Sequence, residues 1–290
     1  MPQEQNAIQV LIVSGQVTPE HDPKVNSMLR RMLESTGRFK VKITEEFRGA
    51  TPETLLFYDL VLVNYDGDVP FTNHPPIPLG AQAEKSIIDF VRSGKGVLFY
   101  HSSAWRTPWS EDILRIMGGY FDPDNGSRKN PILDFTVKVP NATHPVTAGL
   151  ALNWNTVTED LFAGAVWTPE GNVEVLATVF DDIEGYRSMP AHVAHLLPPG
   201  GPEAIVGVNT DQPVAWVRSE QEGRVAVLTI GHGPDTIRRP QFVALCVRMA
   251  EWAATGKVTI EAPNLKGENR RRAWPYYEDI SIVEYASLTV

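Results

Sequence analysis

The sequence is poor in cysteine and in positive charge, and it has no long apolar run. A single cysteine, Cys246, in 290 residues excludes a disulfide framework and a cysteine-rich metal site. The formal net charge of −9 disfavours nucleic acid and anionic membrane surfaces as partners, because both are negatively charged. The chain has no apolar stretch of membrane-spanning length and no basic, apolar secretion signal at its start. We therefore expect a cytoplasmic protein that binds neither nucleic acid nor membranes.

Short apolar runs alternate with amphipathic helical patterns in the first part of the chain. Residues 8–15, 59–67 and 96–101 have the continuous apolar character of strands that are buried on both faces. Between the first two, one helical face carries Val25, Met28, Leu29, Met32 and Leu33. This alternation predicts an α/β fold with a mainly parallel central sheet and helices on both sides.

The second half of the chain is less regular but contains further strand and helix patterns. Residues 134–139 alternate like an edge strand, three more strands follow, and residues 238–256 form an apolar closing helix. We predict one domain over residues 6–256, with the Pro- and Gly-rich segment 181–204 as an inserted loop. Residues 257–290 form a C-terminal extension, through which the chain could form a homo-oligomer.

Polar residues follow the predicted parallel strands. His101 ends the strand in "GVLFYHSSAW", His232 ends "GRVAVLTIGHG", and Asn64, Tyr65 and Asp66 end "DLVLVNYDG". Open parallel sheets bind ligands outside the carboxyl ends of their strands. An imidazole there can be a general acid, a general base, a metal ligand or a satisfied structural group. The other three residues offer the mixed donors and acceptors that sugar hydroxyls need, or they cap a loop.

Loops contribute further candidates. His21 lies in the loop after the first strand, and His144, in "ATHPVTAGL", either contributes to the site or shapes a turn. Glu159 and Asp160, in "TEDLF", could supply a carboxylate to the crevice or start a turn of helix.

Two residues of a later strand complete the set. Trp216 and Arg218 alternate on one face of "PVAWVRS". The tryptophan could stack on a sugar ring, although core packing also explains it.

The strand-end histidines resemble the site of the class I glutamine amidotransferases, with its cysteine replaced and its acid displaced by one residue, to Asp235. "KGVLFYH" resembles the strand and elbow of that superfamily, with His101 where its cysteine falls, and "TIGHGPD" resembles its histidine turn, with His232 in the histidine's place. Imidazole does not reproduce the thiolate route that releases ammonia from glutamine. Cys246 lies within the apolar closing helix and cannot replace the missing thiol. We therefore expect no glutaminase activity.

A longer series of stretches resembles the ThuA-like, or trehalose-utilisation, branch of this superfamily over residues 8–256. These stretches include "VLIVSGQVTPEHD", "FVRSGKGVLFYHSSAW", "THPVTAGL", "TEDLF" and "TIGHGPDT". The resemblance implies a flavodoxin-like three-layer sandwich of the class I glutamine amidotransferase type and a link to disaccharide or glycoside catabolism. It favours Glu159 over Asp160, since the family motif keeps an acid there. The chain departs from the family in having Pro23 after His21 and Asp22, where an aromatic residue is common.

These residues favour an enzyme that acts on a sugar derivative such as a keto-sugar. The enzyme would be a lyase, a hydrolase or an isomerase. Proton abstraction next to a carbonyl needs a base and an electrophile. In one version His101 and His232 are the base and the acid. In the other, His21, His101 and His232 hold a divalent zinc, manganese or iron ion as the electrophile, and Glu159 is the base. The sugar would be bound by Asn64, Tyr65, Asp66, His144, Trp216 and Arg218.

Two other classes of function remain open. The chain could be a non-catalytic sugar-binding or regulatory domain, or a partner subunit of a sugar oxidoreductase. A binding module needs aromatic platforms and amides and has little use for several histidines at strand ends, so the histidines favour the enzyme.

Overall fold

A computed structural model describes residues 6–15, 24–67, 76–130, 132–189 and 197–263. The strands of this part are β1 (Ile8–Val13), β2 (Phe39–Thr44), β3 (Leu60–Val63), β4 (Gly96–Tyr100), β5 (Gly119–Tyr120), β6 (Arg128–Lys129), β7 (Thr136–Lys138), β8 (Asn153–Asn155), β9 (Phe162–Ala163), β10 (Val166–Trp167), β11 (Glu174–Asp181), β12 (Thr210–Glu220) and β13 (Gly223–Leu228). The helices are α1 (Lys24–Ser35), α2 (Pro52–Leu55), α3 (Ala81–Arg92), α4 (Glu111–Met117), α5 (Ile183–Arg187), α6 (Pro234–Ile237) and α7 (Pro240–Thr255).

One nine-stranded sheet organises these elements. Its strand order is β2-β1-β3-β4-β13-β12-β11-β7-β8. The first five strands pair in parallel, in the order typical of flavodoxin-like folds, and the remaining pairs are antiparallel. The predicted α/β fold with a mainly parallel central sheet is confirmed.

Helices cover both faces of the parallel strands. Alternate strand residues such as Leu98 pack with α1 and α7, whereas their neighbours such as Val97 pack with α2, α3 and α4. Helix α1 buries the five apolar residues that its sequence pattern placed on one face. Each such side chain contributes about 1.5–3 kcal/mol by leaving water. The result is the predicted three-layer sandwich.

The structure differs from the sequence prediction at the antiparallel end of the sheet. Residues 134–139 contain β7 as expected, but β7 is an inner strand, because β8 pairs with its outer side. The predicted inserted loop at 181–204 begins with the last residue of β11 and includes α5, and residues 190–196 lie outside the described part.

The chain continues to contact the fold after α7. The amides of Thr259 and Ile260 donate to Glu251 Oε2 at 2.7 and 3.0 Å. Residues 264–290, most of the predicted extension, lie outside the described residues. In the described part of the chain, every helix is too short or too polar to span a bilayer.

Candidate functional site

Two adjacent parallel strands bring two histidines together at the carboxyl edge of the sheet. Tyr100 at the end of β4 pairs with Leu228 at the end of β13. His101 follows directly with φ +48°, which turns the chain sharply away from the strand, and His232 follows β13 after a few residues. The distance from His101 Nε2 to His232 Nδ1 is 3.3 Å.

The environment of His101 fixes its tautomer and its charge. Its Nδ1 lies 2.7 Å from the carbonyl oxygen of Thr229. A carbonyl only accepts, so Nδ1 carries the hydrogen and Nε2 presents a lone pair to His232. The ring lies 5.0 Å from that of Phe162 and is almost completely buried. Burial lowers the pKa of His101 to about 4, although the negative charge of Asp160 opposes the shift. His101 is therefore neutral at pH 7.

Asp160 is the carboxylate that faces the histidines. Its Oδ1 lies 3.6 Å from His101 Nε2, and its Oδ2 lies 3.4 Å from His232 Nδ1 and 2.8 Å from Lys129 Nζ. Burial favours the protonated acid, but the neighbouring His101, His232 and Lys129 hold the pKa of Asp160 below its ordinary value. The carboxylate is thus ionised in a buried site.

Glu159 points the other way and holds the main chain of the second histidine. Its Oε2 accepts from the amide of Gly231 at 2.8 Å, and its Oε1 accepts from the amide of His232 at 2.9 Å. Burial and the nearby charge of Asp160 raise the pKa of Glu159 to about 8. Successive residues of an extended segment point to opposite sides, which explains why only one of the two acids reaches the imidazoles.

A close approach at Gly231 links the two histidine-bearing strands. The hydroxyl of Tyr100 donates to the carbonyl oxygen of Gly231 at 2.7 Å. Gly231 has φ +108°, and a Cβ there would lie 2.1 Å from Tyr100 Oη and 2.7 Å from Phe242 Cζ. Only glycine fits this turn without displacing its neighbours, so the backbone that carries His232 depends on it.

The residues after β3 lie at the same edge of the sheet and are tied into the framework. The amide of Asn64's side chain donates to Asn26 Oδ1 at 2.8 Å, and the main-chain amide of Tyr65 donates to Ser103 Oγ at 2.8 Å. Asp66 is buried beside them. Ser103 lies two residues after His101, so this hydrogen bond links the end of β3 to the segment that follows His101.

His144 lies at the opposite edge of the sheet, which corrects the sequence-based assignment of this residue to the sugar site. Its ring packs 5.4 Å from that of Trp252, in the last turns of α7. That end of α7 passes the start of β4, where a Cβ on Gly96 would lie 2.4 Å from the main chain of Ala253. His144 Nδ1 accepts from the amide of Val146 at 3.2 Å, so the residue shapes a turn.

Trp216 and Arg218 are packed into the fold and do not line the histidine pair. The indole of Trp216 is completely buried, and its Nε1 donates to the carbonyl oxygen of Met117 at 3.0 Å, so it has no face for a sugar. Arg218 pairs with Val225, in the first half of β13, and its guanidinium donates to the carbonyl oxygen of Arg115 at 2.6 Å. Both side chains are core and framework residues.

One predicted metal ligand, His21, lies outside the described residues. Within those residues, ligand atoms of His101, Asp160 and His232 all lie within 4.8 Å of one another. Lys129, which sequence reasoning missed, reaches Asp160 because β6 pairs with β9 and places Lys129 opposite Phe162. A two-residue strand has no recognisable sequence pattern, so no signal could have identified it.

The comparisons with known proteins agree with this architecture. The family described as trehalose utilisation, ThuA, matches residues 9–253. A ThuA-like protein from Parabacteroides merdae ATCC 43184 has a similar structure with a TM-score of 0.68, at 21% identity over 89% of this chain and 94% of its own. A second, from Bacteroides uniformis ATCC 8492, gives 0.60 at 19% identity, covering 94% of this chain and 97% of its own.

A more distant match is a cytoplasmic protein from Salmonella typhimurium LT2, with a TM-score of 0.54 at 11% identity over 85% of this chain and 99% of its own. Similarities at these identities concern the fold alone. Comparison with curated protein sequences gave no significant match.

Proposed function

This chain belongs to the trehalose-utilisation (ThuA) family, and from that premise we propose that it is an enzyme acting on a carbohydrate derivative at the carboxyl edge of its sheet. The observation that carries the proposal is the pair of strand-end imidazoles, with His101 Nε2 and His232 Nδ1 3.3 Å apart beside the buried carboxylate of Asp160. Buried titratable groups of this kind cluster at functional sites.

The groups at this edge support proton transfer on an oxidised sugar. A keto-sugar or keto-glycoside has an acidic hydrogen next to its carbonyl, and its removal leads to elimination, hydration or isomerisation. His232 is the more exposed imidazole and is assigned to contact the substrate, whereas His101 and Asp160 orient it. Glu159 is a positioning residue, since both of its oxygens are held by main-chain amides.

Glutaminase activity is not part of the proposal. The elbow position holds His101, and the only cysteine of the sequence, Cys246, lies buried in α7. Burial raises the pKa of that thiol to about 12, so it supplies no thiolate. The expected ligand is a small sugar, and a cytoplasmic location and self-association through residues 257–290 remain expectations of the same proposal.

Hydrogen exchange on a keto-sugar tests the reaction class directly. The protein is incubated in D2O with a keto derivative of trehalose and with keto-glucosides, and NMR follows the loss of the proton next to the carbonyl. We expect the wild type to accelerate this loss, and H101Q and H232Q each to reduce the rate by about 10²–10⁴-fold. H144Q is the matched control, because that histidine lies at the opposite edge.

Either of two outcomes would overturn the proposal. If the wild type, H101Q and H232Q exchange the hydrogen at equal rates, the two histidines do not catalyse the reaction. Saturable sugar binding by the wild type without exchange or turnover of any keto-sugar identifies a non-catalytic sugar-binding domain instead.

A further inference from the structure

We propose that His101 Nε2, His232 Nδ1 and the carboxylate of Asp160 form a binding site for a divalent first-row transition-metal ion, with Zn²⁺ as its simplest occupant. The site uses the same histidines as the proposed function but stands without it, since a metal can be bound whether or not a sugar is turned over. It replaces His21, the third ligand expected from the sequence, with Asp160.

The spacing of the three donors fits such an ion. The separations are 3.3 Å between the two imidazole nitrogens, 3.6 Å from His101 Nε2 to Asp160 Oδ1, and 3.4 Å from His232 Nδ1 to Asp160 Oδ2. Ligands at about 2.0–2.2 Å from a tetrahedral zinc ion lie about 3.3–3.6 Å from one another. The two carboxylate distances involve different oxygens of Asp160, and one ligand atom from each of the three residues lies within 4.8 Å of the other two. This spacing allows the three side chains to converge on one ion.

The hydrogen bonds that hold the two histidines are of the kind found around metal sites. The Nδ1 hydrogen of His101 is held by the carbonyl oxygen of Thr229 at 2.7 Å, which turns the Nε2 lone pair inward. Metal-binding histidines characteristically donate their other ring hydrogen to a carbonyl or carboxylate. The main chain of His232 is fixed in turn by Glu159, whose Oε1 accepts its amide at 2.9 Å. With a metal on Nδ1 of His232, the ring hydrogen of that residue resides on Nε2.

The carboxylate of Asp160 points independently to a cation. Both of its oxygens are inaccessible to solvent, and neither makes a hydrogen bond of normal geometry within the described residues. A buried carboxylate is ordinarily paired with a cation or coordinated to a metal. Lys129 Nζ approaches Oδ2 at 2.8 Å and His232 Nδ1 approaches it at 3.4 Å, so an ammonium or imidazole partner is the competing explanation for this buried carboxylate.

The composition of the site selects the class of ion. Two imidazoles and one carboxylate, with at least one position left for water or substrate, suit zinc, iron(II) or manganese(II) and not calcium or magnesium, which prefer oxygen ligands alone. An ion so placed would polarise a sugar carbonyl or hydroxyl at the edge of the sheet.

Metal binding is tested on the full chain without an affinity tag. The metal content is measured after purification without chelator, and Zn²⁺ binding to the chelator-treated protein is measured by calorimetry and by competition with a chromophoric chelator. We expect one ion per chain. D160N and H232Q should each weaken binding by more than about 100-fold, since even second contacts of metal ligands are worth 10–100-fold.

Two controls separate the metal from the alternative explanations. K129M removes the competing ammonium and should bind Zn²⁺ at least as tightly as the wild type, whereas H144Q should bind it with unchanged affinity. Circular dichroism and the melting temperature of each chelator-treated variant check the fold. If D160N fails to fold, the Zn²⁺ affinity of H232Q decides the test. The His232 side chain is more exposed than that of Asp160, so its replacement disturbs the fold less.

The metal site is disproved if the wild-type protein does not bind Zn²⁺ in a stoichiometric amount. It is also disproved if D160N and H232Q both bind Zn²⁺ with wild-type affinity. The outcomes also separate the two proposals. Zinc binding without exchange on any keto-sugar removes the proposed reaction and leaves the metal site. Full exchange activity in a protein that binds no metal removes the metal site and leaves the proposed reaction.

Discussion

Replacing Gly231 by alanine tests whether the turn between β13 and His232 is built as described. The new methyl group would lie 2.1 Å from Tyr100 Oη and 2.7 Å from Phe242 Cζ. Both atoms belong to buried side chains, and Tyr100 immediately precedes His101. The substitution therefore pushes apart the two strand ends that carry the histidines.

The cost follows from two separate effects. A non-glycine residue at φ +108° costs about 1–3 kcal/mol of backbone strain. Forcing a methyl group into a packed region costs about another 1–3 kcal/mol. We expect G231A to lower the free energy of unfolding by about 4 kcal/mol and the melting temperature by on the order of 10 °C.

The matched control is G233A in the same loop. Gly233 has an extended backbone with φ −139°, and no atom lies within 4 Å of the position that a Cβ would take. Alanine there should change the free energy of unfolding by less than about 0.5 kcal/mol. Thermal and urea unfolding of chelator-treated proteins, followed by circular dichroism, give the comparison free of any metal effect.

A double-mutant cycle with Y100F identifies the source of the strain. Removing the hydroxyl takes away the nearest overlapping atom, so the cost of G231A should fall by about 1 kcal/mol or more in the Y100F background. The reasoning is refuted if G231A melts at the same temperature as G233A, or if its cost is the same with and without the Tyr100 hydroxyl.

Three further predictions concern groups outside the histidine cluster. W216A should lower the free energy of unfolding by about 3–5 kcal/mol, because the indole of Trp216 is completely buried; weaker sugar binding at unchanged stability in urea unfolding would contradict this. E251Q should cost about 2 kcal/mol at pH 7, because the Glu251 carboxylate pairs with Arg38 and accepts from Thr259. Burial opposes ionisation, but these contacts hold the pKa of Glu251 below 4.5, so its contribution is present above that pH and is lost as the pH falls through the lowered pKa. The melting temperatures of wild type and E251Q should therefore converge at low pH, and a constant gap would count against the assignment. Cys246 should resist thiol reagents at pH 8 until the chain unfolds, since burial raises the pKa of its thiol to about 12; rapid labelling of the native protein would show otherwise.

The elements that sequence patterns predicted well are those whose burial is regular. The period of the apolar residues in α1 matches the face that the helix buries, and continuous apolar runs such as that of β4 correspond to strands covered on both sides. The positions of His101 and His232 at strand ends followed from the same reasoning, because parallel strands deliver their carboxyl ends to one edge.

The site residues that sequence reasoning misplaced are those whose role depends on long-range packing. Nothing local distinguishes Glu159 from its neighbour Asp160, and the choice between them is made by the direction of each side chain in a segment that pairs with Leu133. His144 has the turn chemistry of a site loop, yet its loop packs under the far end of α7.

The sequence by itself determined the α/β layering, the absence of a cysteine after β4 and the two histidines at the strand ends. These follow from periodicity and residue identity, which are properties of the chain alone. Only the tertiary structure decided that Asp160 completes the cluster, that Lys129 contacts it and that Trp216 belongs to the core. The physical reason is that each of these contacts joins segments distant in the chain, and the packing of the whole sheet sets their separation.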